Sequence, residues 1–168
     1  MVAFITCDLL DDNPNEAIAV IPSDLDGKFF KSYGKVKTFF GEIVTVKCFE
    51  DNSRVKEILA TDGTGKVLLV DGGASMNCAL MGDMIAESAV QHGWNGVIIY
   101  GCVRDVDILA TLNLGIFALA ATPKKSLRQG VGDVGVDIHL GGIQIKSGQY
   151  VYADNNGILI AARNLLMS

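Results

Sequence analysis

The stretch 66-KVLLVDGGASMNCALMGDMIAESAVQHGWNGVIIYGCVRD-105 decides the fold. Its first part, KVLLVDGG, is a short apolar run closed by two glycines, the pattern of a buried strand with a tight turn after it. In MGDMIAESAVQHGW, Ile85, Ala86, Ala89 and Val90 recur at helical spacing on one face, with Glu87 and Gln91 on the other. GVIIYG is a second buried strand. Strand, helix and strand in this order predict a right-handed parallel unit. Loops leaving the carboxyl ends of parallel strands open on one edge of the sheet, where ligands bind. The first loop delivers Asp83 at the helix start, and the second, GCVRD, delivers Arg104 and Asp105; residues 84 to 103 lie between. Consecutive side chains do not face each other on a helix or a strand, so each of these two charges needs a partner from elsewhere, in the protein or in a ligand.

Outward from this unit, DVDILATLNLG reads as a short helix ending at Gly115 and IFALAAT as a third apolar strand. Upstream, GEIVTVKCFE alternates and is β-branched enough for a strand from Glu42 to about Phe49. NSRVKEILATDG follows as a helix, with Asn52 or Ser53 as cap and Gly63 as stop. The first ~20 residues suggest a short helix and a loop through Asn13-Pro14-Asn15. From Val136 to Ala161 the chain reads as a β-rich meander turning at Gly141-Gly142, Ser147-Gly148 and Asn156-Gly157. No repeat or linker interrupts residues 1 to 168, so the expectation is one domain. The order of elements implies a layered α/β fold with a mixed sheet.

The chain has 168 residues, 49% of them hydrophobic, which suits a single core of good size. Its net charge of -5 argues against a general electrostatic attraction to nucleic acid. No apolar run approaches the roughly 20 residues that span a bilayer. The start, MVAFITCDLLDDNPNE, lacks the basic flank of a signal peptide, and a cytoplasmic protein is expected. Cys7, Cys48, Cys78 and Cys102 form no C-x-x-C pair and read as small apolar core residues. His92 and His139 have no companion at metal-ligand spacing.

The charged loops carry the chemistry. A helix start offers the unpaired N–H groups of Asp83, Met84 and Ile85 to an anion. Arg104 adds a fork matched to a carboxylate. Asp105, with Asp83 acting through water, suits a hard divalent cation that keeps most of its own water. A cation beside a carboxylate pocket suits a 2-oxo acid, whose enolate it would stabilise when a bond next to the carbonyl breaks. Simpler readings stand beside these: Asp83 as a helix cap, and Arg104 and Asp105 as partners across a subunit interface. Asp107 reads as a helix-start residue or a support for the cation, Asp154 as a turn residue, and Trp94 as packed at a turn. VLLVDGGAS is weakly similar to the glycine loop of adenosylmethionine-dependent methyltransferases. Gly72-Gly73-Ala74 lacks the alternating glycines of that loop, and no second acid follows for a ribose contact.

VDGGASMNCALMGDMIAESAVQHGWNGVIIYGCVRDVDILATLNLGIFALAATPKK and the tail GGIQIKSGQYVYADNNGILIA closely resemble the regulator of ribonuclease activity A family. The similarity runs from about Glu42 to Ala161. The same family contains metal-dependent 4-hydroxy-4-methyl-2-oxoglutarate aldolases, and several members were once labelled menaquinone-pathway methyltransferases. The resemblance implies a single-domain, swivelling β/β/α sandwich that assembles as a homotrimer with sites between subunits. It implies that Gly82, Asp83, Met84, Ile85 and Arg104 bind the substrate's pyruvyl carboxylate. Asp105 would ligate magnesium or manganese, Asp83 would reach it through water, and Arg104 and Asp83 would be catalytic. The implied activity is cleavage of that substrate to pyruvate, with oxaloacetate decarboxylation through the same enolate. The second implied role is a non-catalytic regulator that binds and inhibits an RNA-degrading endonuclease of the ribonuclease E type. Asp83, an acid that regulators can lack, favours catalysis. KCFEDNSRVKEIL looks more like the regulators, and the C-terminal acid of the aldolases has no counterpart beyond Asp154.

Overall fold

Val67, Leu68, Leu69 and Val70 are each 0% exposed in the computed structural model of the chain, which describes residues 3–167. A strand buried on both faces needs a layer on each side. In chain order the elements are α1 (Thr6–Asp12), β1 (Ala19–Val20), β2 (Lys31–Ser32), β3 (Phe39–Lys47), α2 (Ser53–Leu59), β4 (Lys66–Asp71) and β5 (Ala79–Met81). They continue with α3 (Asp83–Gln91), β6 (Gly96–Val103), α4 (Val106–Leu109), β7 (Gly115–Ala121) and β8 (Asp133–Val134). The tail supplies β9 (Ile138–Leu140), β10 (Ile143–Ile145), β11 (Tyr150–Asp154) and β12 (Gly157–Ala161).

The central strands β3, β4, β6 and β7 are parallel, joined by crossover helices as the strand-helix-strand pattern requires. Antiparallel neighbours extend the sheet on both sides, in the order β1-β12-β11-β3-β4-β6-β7-β2. Because side chains alternate along a strand, β4 feeds two cores. Leu68 and Val70 pack under α2 and α3 with Val55, Leu59, Ala86 and Ala89. Val67 and Leu69 face the separate β9–β10 hairpin through Ile138, Leu140 and Ile145. The result is a layered mixed α/β sandwich: helices, large sheet, small sheet.

Phe39 fixes the start of β3. Gly96 and Gly115 are register partners on β6 and β7, and a Cβ on either would lie 2.3 or 2.1 Å from the Phe39 ring. Two adjacent strands thus lack side chains at the one place where the ring lies on them. The ring also meets Phe117 edge-on, with centroids 5.4 Å apart.

Several sequence expectations shift. β3 starts at Phe39 rather than at the expected Glu42, because its first residues pair with β11. The helix α2 ends at Leu59; Gly63 lies beyond it, where a Cβ would strike the Trp94 ring at 2.2 Å. Neither Asn52 nor Ser53 caps it with a side chain: Asp51 Oδ1 accepts the Ser53 N–H instead, at 2.9 Å. α4 is a single turn that stops well before Gly115. β5 has no counterpart in the sequence pattern, since three residues are too few to show a period. The tail is not one meander, because β9–β10 pair only with each other while β11–β12 join the main sheet. Cys48, Cys78 and Cys102 are buried as expected, but Cys7 is exposed. Among the described residues no helix is long and apolar enough to cross a membrane.

Candidate functional site

β4 and β6 lie side by side with α3 crossing between them, so their carboxyl-terminal loops share one edge. Strand pairing then brings the two loops together. β6 continues past Gly101 to Val103, and β5 pairs with that extension through Ala79–Cys102 and Met81–Val103. Arg104 N–H donates to the Met81 carbonyl at 3.0 Å, which sets Arg104 beside the residue two positions before the start of α3.

Asp105 does the unexpected. Its backbone is left-handed, φ 58° and ψ 40°, a conformation an Asp tolerates better than most residues. That turn swings its carboxylate back over the helix start, where Oδ2 accepts the Asp83 N–H at 3.0 Å. Oδ2 also stands 3.9 Å from Arg104 Nε, so the two neighbouring charges do meet, which regular helix or strand geometry would forbid. Gly82 makes room: a Cβ there would sit 2.4 Å from Oδ2 and 3.3 Å from Arg104 Nε. Gly82 has no side chain to cap α3, and Asp105 performs that task from another loop. Asp83 lies in the first turn, its Oδ1 accepting the Met84 N–H at 2.8 Å. Two of the three amides expected to be open are therefore held by carboxylates of the site itself. Met84 is 79% exposed at the rim, whereas Ile85 is buried in the core. Asp107 lies in the first turn of α4, as the sequence suggested. Asp154 is more than a turn residue: it accepts the Thr6 N–H and hydroxyl at 2.8 and 2.7 Å and ties α1 to the sheet.

A second wall comes from residues 124–130, a strap pinned at both edges. On one side the Ala79 N–H donates to the Lys124 carbonyl at 2.8 Å. On the other, Leu127 exchanges backbone hydrogen bonds with Glu50 and Asn52. Asp51 anchors the strap from below, accepting the Gln129 N–H on Oδ2 at 2.7 Å. Burial pushes the Asp51 carboxyl up, but hydrogen bonds from Ser53, Gln129 and Val131 outweigh it and hold it below its usual value. Between strap and helix start lies a cleft of about 470 Å³, lined by Gly82, Asp83, Arg104, Asp105, Lys125 and Arg128 among others. Its size falls within the roughly 300–1,000 Å³ range of small-molecule sites. The structure thus brings Gly82, Asp83, Met84, Ile85, Arg104 and Asp105 to one cleft. Sequence reasoning missed the strap and Asn52. The signal was present: KKSLR follows the third buried strand, whose carboxyl end opens on the same edge.

Among the described residues no group of three or more His, Cys, Asp or Glu side chains is arranged to hold a metal. The carboxylates that line the cleft are those of Asp83 and Asp105. One or two carboxylates fit a cation such as magnesium, which keeps several of its own waters, and not a dehydrated all-protein cage.

A layered mixed α/β domain with a ligand-sized cleft at the carboxyl edge of its parallel strands is the class that fold and site define. Residues 6–160 match the family model described as RraA-like, Aldolase/RraA, and the chain belongs to that family. A protein of Acinetobacter baylyi named "Putative 4-hydroxy-4-methyl-2-oxoglutarate aldolase" is 67% identical over 165 residues, 98% of this chain and 97% of the relative. One of the same name from Alcanivorax borkumensis is 54% identical, covering 98% and 100%. Among solved structures, the RNA-processing inhibitor RraA of Thermus superposes with a TM-score of 0.89 at 38% identity, covering 96% of this chain and 94% of that one. A Geobacillus kaustophilus structure described as an S-adenosylmethionine: 2-dimethylmenaquinone methyltransferase gives 0.90 at 40% identity, covering 97% and 98%.

Proposed function

We propose that this protein is a divalent-cation-dependent lyase that cleaves 4-hydroxy-4-methyl-2-oxoglutarate to two pyruvates and, more weakly, decarboxylates oxaloacetate. The observation that carries the reading is the Asp105 carboxylate, held on the Asp83 N–H with the Arg104 guanidinium beside it, facing a cleft of small-molecule size. The aldolase name borne by the relative at 67% identity supports the cleavage part of this reading.

Asp105 and Asp83 would hold magnesium or manganese, which supplies a positive charge for the oxygen of a developing enolate. Arg104 binds the carboxylate next to the keto group, its fork fixing that end of the substrate. The Asp83 and Met84 amides at the start of α3 are already taken by the Asp105 and Asp83 carboxylates, so the anchoring of that end falls to Arg104. Cleavage breaks the bond between C3 and C4. The C4 hydroxyl gives up its proton, C4 becomes the keto carbon of one pyruvate, and the electron pair passes to C3 as the enolate of the other. Protonation at C3 completes the second pyruvate. Asp83 orients the water that takes and returns these protons. Oxaloacetate yields the same enolate by losing carbon dioxide, so one site serves both reactions.

The test is pyruvate release from each acid with magnesium and then with chelator. Wild type responds to the metal, and Asp105→Ala loses at least about a hundredfold in kcat/KM. Equal rates for wild type and Asp105→Ala sink the lyase reading. A homotrimer working in the cytoplasm belongs to the same proposal, and light scattering should return three times the 17.9 kDa of one chain. The endonuclease-regulator reading rests on the Thermus relative at 38% identity, against 67% for the aldolase-named one, and is the lesser of the two.

A further inference from the structure

The cleavage chemistry leaves two charged groups of the cleft, Lys125 and Arg128, without a task. Arg128 stands on the strap, and β5 separates it from Arg104: Ala79 pairs with Cys102 of β6 on one side and with Lys125 of the strap on the other. Arg104 and Arg128 therefore enter the same cleft from opposite sides of β5. The substrate proposed above has two carboxylates, and only one of them has been given a partner.

Three features of Arg128 suit it to the second. Its backbone is fixed, because the strap is tied to Glu50, Asn52, Ser53 and Ala79 by hydrogen bonds and to Asp51 by a buried carboxylate. Its side chain is also braced. Asn52, only 6% exposed, offers Oδ1 to Arg128 Nε at 3.2 Å, which engages the inner nitrogen and leaves the two Nη groups as a fork. The charge balance asks for a dianion. In a chain of net charge -5 the cleft gathers Arg104, Lys125 and Arg128 against Asp83 and Asp105, and a bound divalent cation adds two further positive charges. A monocarboxylate leaves that excess largely uncompensated.

We propose that the strap forms a second-carboxylate subsite in which Arg128, braced by Asn52, reads the distal acid of a dicarboxylic 2-oxo acid. The inference rests on the reading of Arg104 as the anchor of the pyruvyl end, and it narrows the substrate class. The preferred ligands are five-carbon chains with a 2-oxo acid at one end and a carboxylate at the other. Interactions with this remote group hold the chain in line, so that the C3–C4 bond lies over the cation-binding carboxylates.

The experiment compares two non-cleavable probes by calorimetric titration of the full chain in magnesium. 2-Oxoglutarate lacks the C4 hydroxyl and cannot undergo the retro-aldol step; 2-oxohexanoate has similar length and an uncharged end. Wild type should prefer 2-oxoglutarate by about tenfold or more, the effect of one charge-assisted fork. Arg128→Gln should bring that ratio to near one with little change for 2-oxohexanoate, and Arg128→Lys should fall between. Arg128 is exposed, so the variants should fold; melting curves alongside verify this. The subsite is overturned if wild type shows no preference, if Arg128→Gln keeps it, or if Lys125→Gln erases it while Arg128→Gln does not. Failure of the lyase reading looks different: neither probe binds and no pyruvate is released, and the subsite then falls with it.

Discussion

Replacing Gly82 with alanine adds one carbon at the point where both loops of the site meet. The new Cβ would lie 2.4 Å from Asp105 Oδ2, against ordinary contact from 3.4 Å, so the carboxylate must retreat by about 1 Å. Retreat breaks its hydrogen bond to the Asp83 N–H, now 3.0 Å, and moves it relative to Arg104. The backbone itself resists little: Gly82 is extended, φ -123° and ψ -160°, and needs no left-handed conformation. Loss of the cap costs about 1 kcal/mol. Alanine returns about 0.4–1 kcal/mol by restricting the unfolded chain. The melting temperature should therefore shift by no more than about 2–4 °C. Activity should respond far more, because misplacing a reacting group by 1 Å costs about a hundredfold. Pyruvate release coupled to NADH oxidation by lactate dehydrogenase, with a parallel thermal melt, separates the two effects. Wild-type kcat/KM in Gly82→Ala would refute the idea that the placement of Asp105 sets the rate. So would a melting point lowered by more than about 10 °C, since the loss would then be one of folding.

Gly115→Ala should behave in the opposite way, costing stability first. Its Cβ meets the buried Phe39 ring at 2.1 Å, and overpacking of this kind costs about 1–3 kcal/mol, read as a lower midpoint in urea. Acid should loosen the N-terminal helix through Asp154. Burial pushes its carboxyl up, but hydrogen bonds from Thr6 and Asn156 outweigh this and hold it below the usual carboxylate value. A depressed folded-state value gives stability that is present above about pH 4, where the unfolded carboxyl titrates, and lost as pH falls through the folded value. Asp154→Asn should flatten the fall in melting temperature below pH 4, while the wild type shows the full slope. Thiol chemistry should single out Cys7. Burial, with Asp51 and Asp71 nearby, pushes the Cys48 thiol up to about 12, and burial raises Cys78 and Cys102. Iodoacetamide at pH 8 should label one of four cysteines in the native protein and all four after unfolding, counted by mass.

The parallel unit was legible because its signals are local. Val67–Val70 and Val97–Ile99 are continuous apolar runs, and Ile85, Ala86 and Ala89 mark a helix face between them. Once such a unit is granted, the right-handed crossover and the common edge of the two loops follow from general rules of chain geometry. That is why Asp83, Arg104 and Asp105 could be named together before any coordinates. Short or context-made features were not legible. β5 is three residues long, α4 is a single turn, and the task of Gly63 is set by an indole 31 positions along the chain.

By itself, then, the order of residues determined the layers, the parallel core and the charged residues on the carboxyl edge, because hydrophobic period and turn residues act over a few positions. Tertiary structure decided how those charges are spent. The left-handed turn at Asp105 converts two neighbours into a joined pair, and its carboxylate caps a helix that begins 22 residues earlier. The strap that closes the cleft with Lys125 and Arg128 is set in place by Asp51 and Asn52, more than 70 residues away in sequence. A hydrogen bond needs only closeness in space, and closeness between residues so far apart along the chain exists only after the sheet has formed.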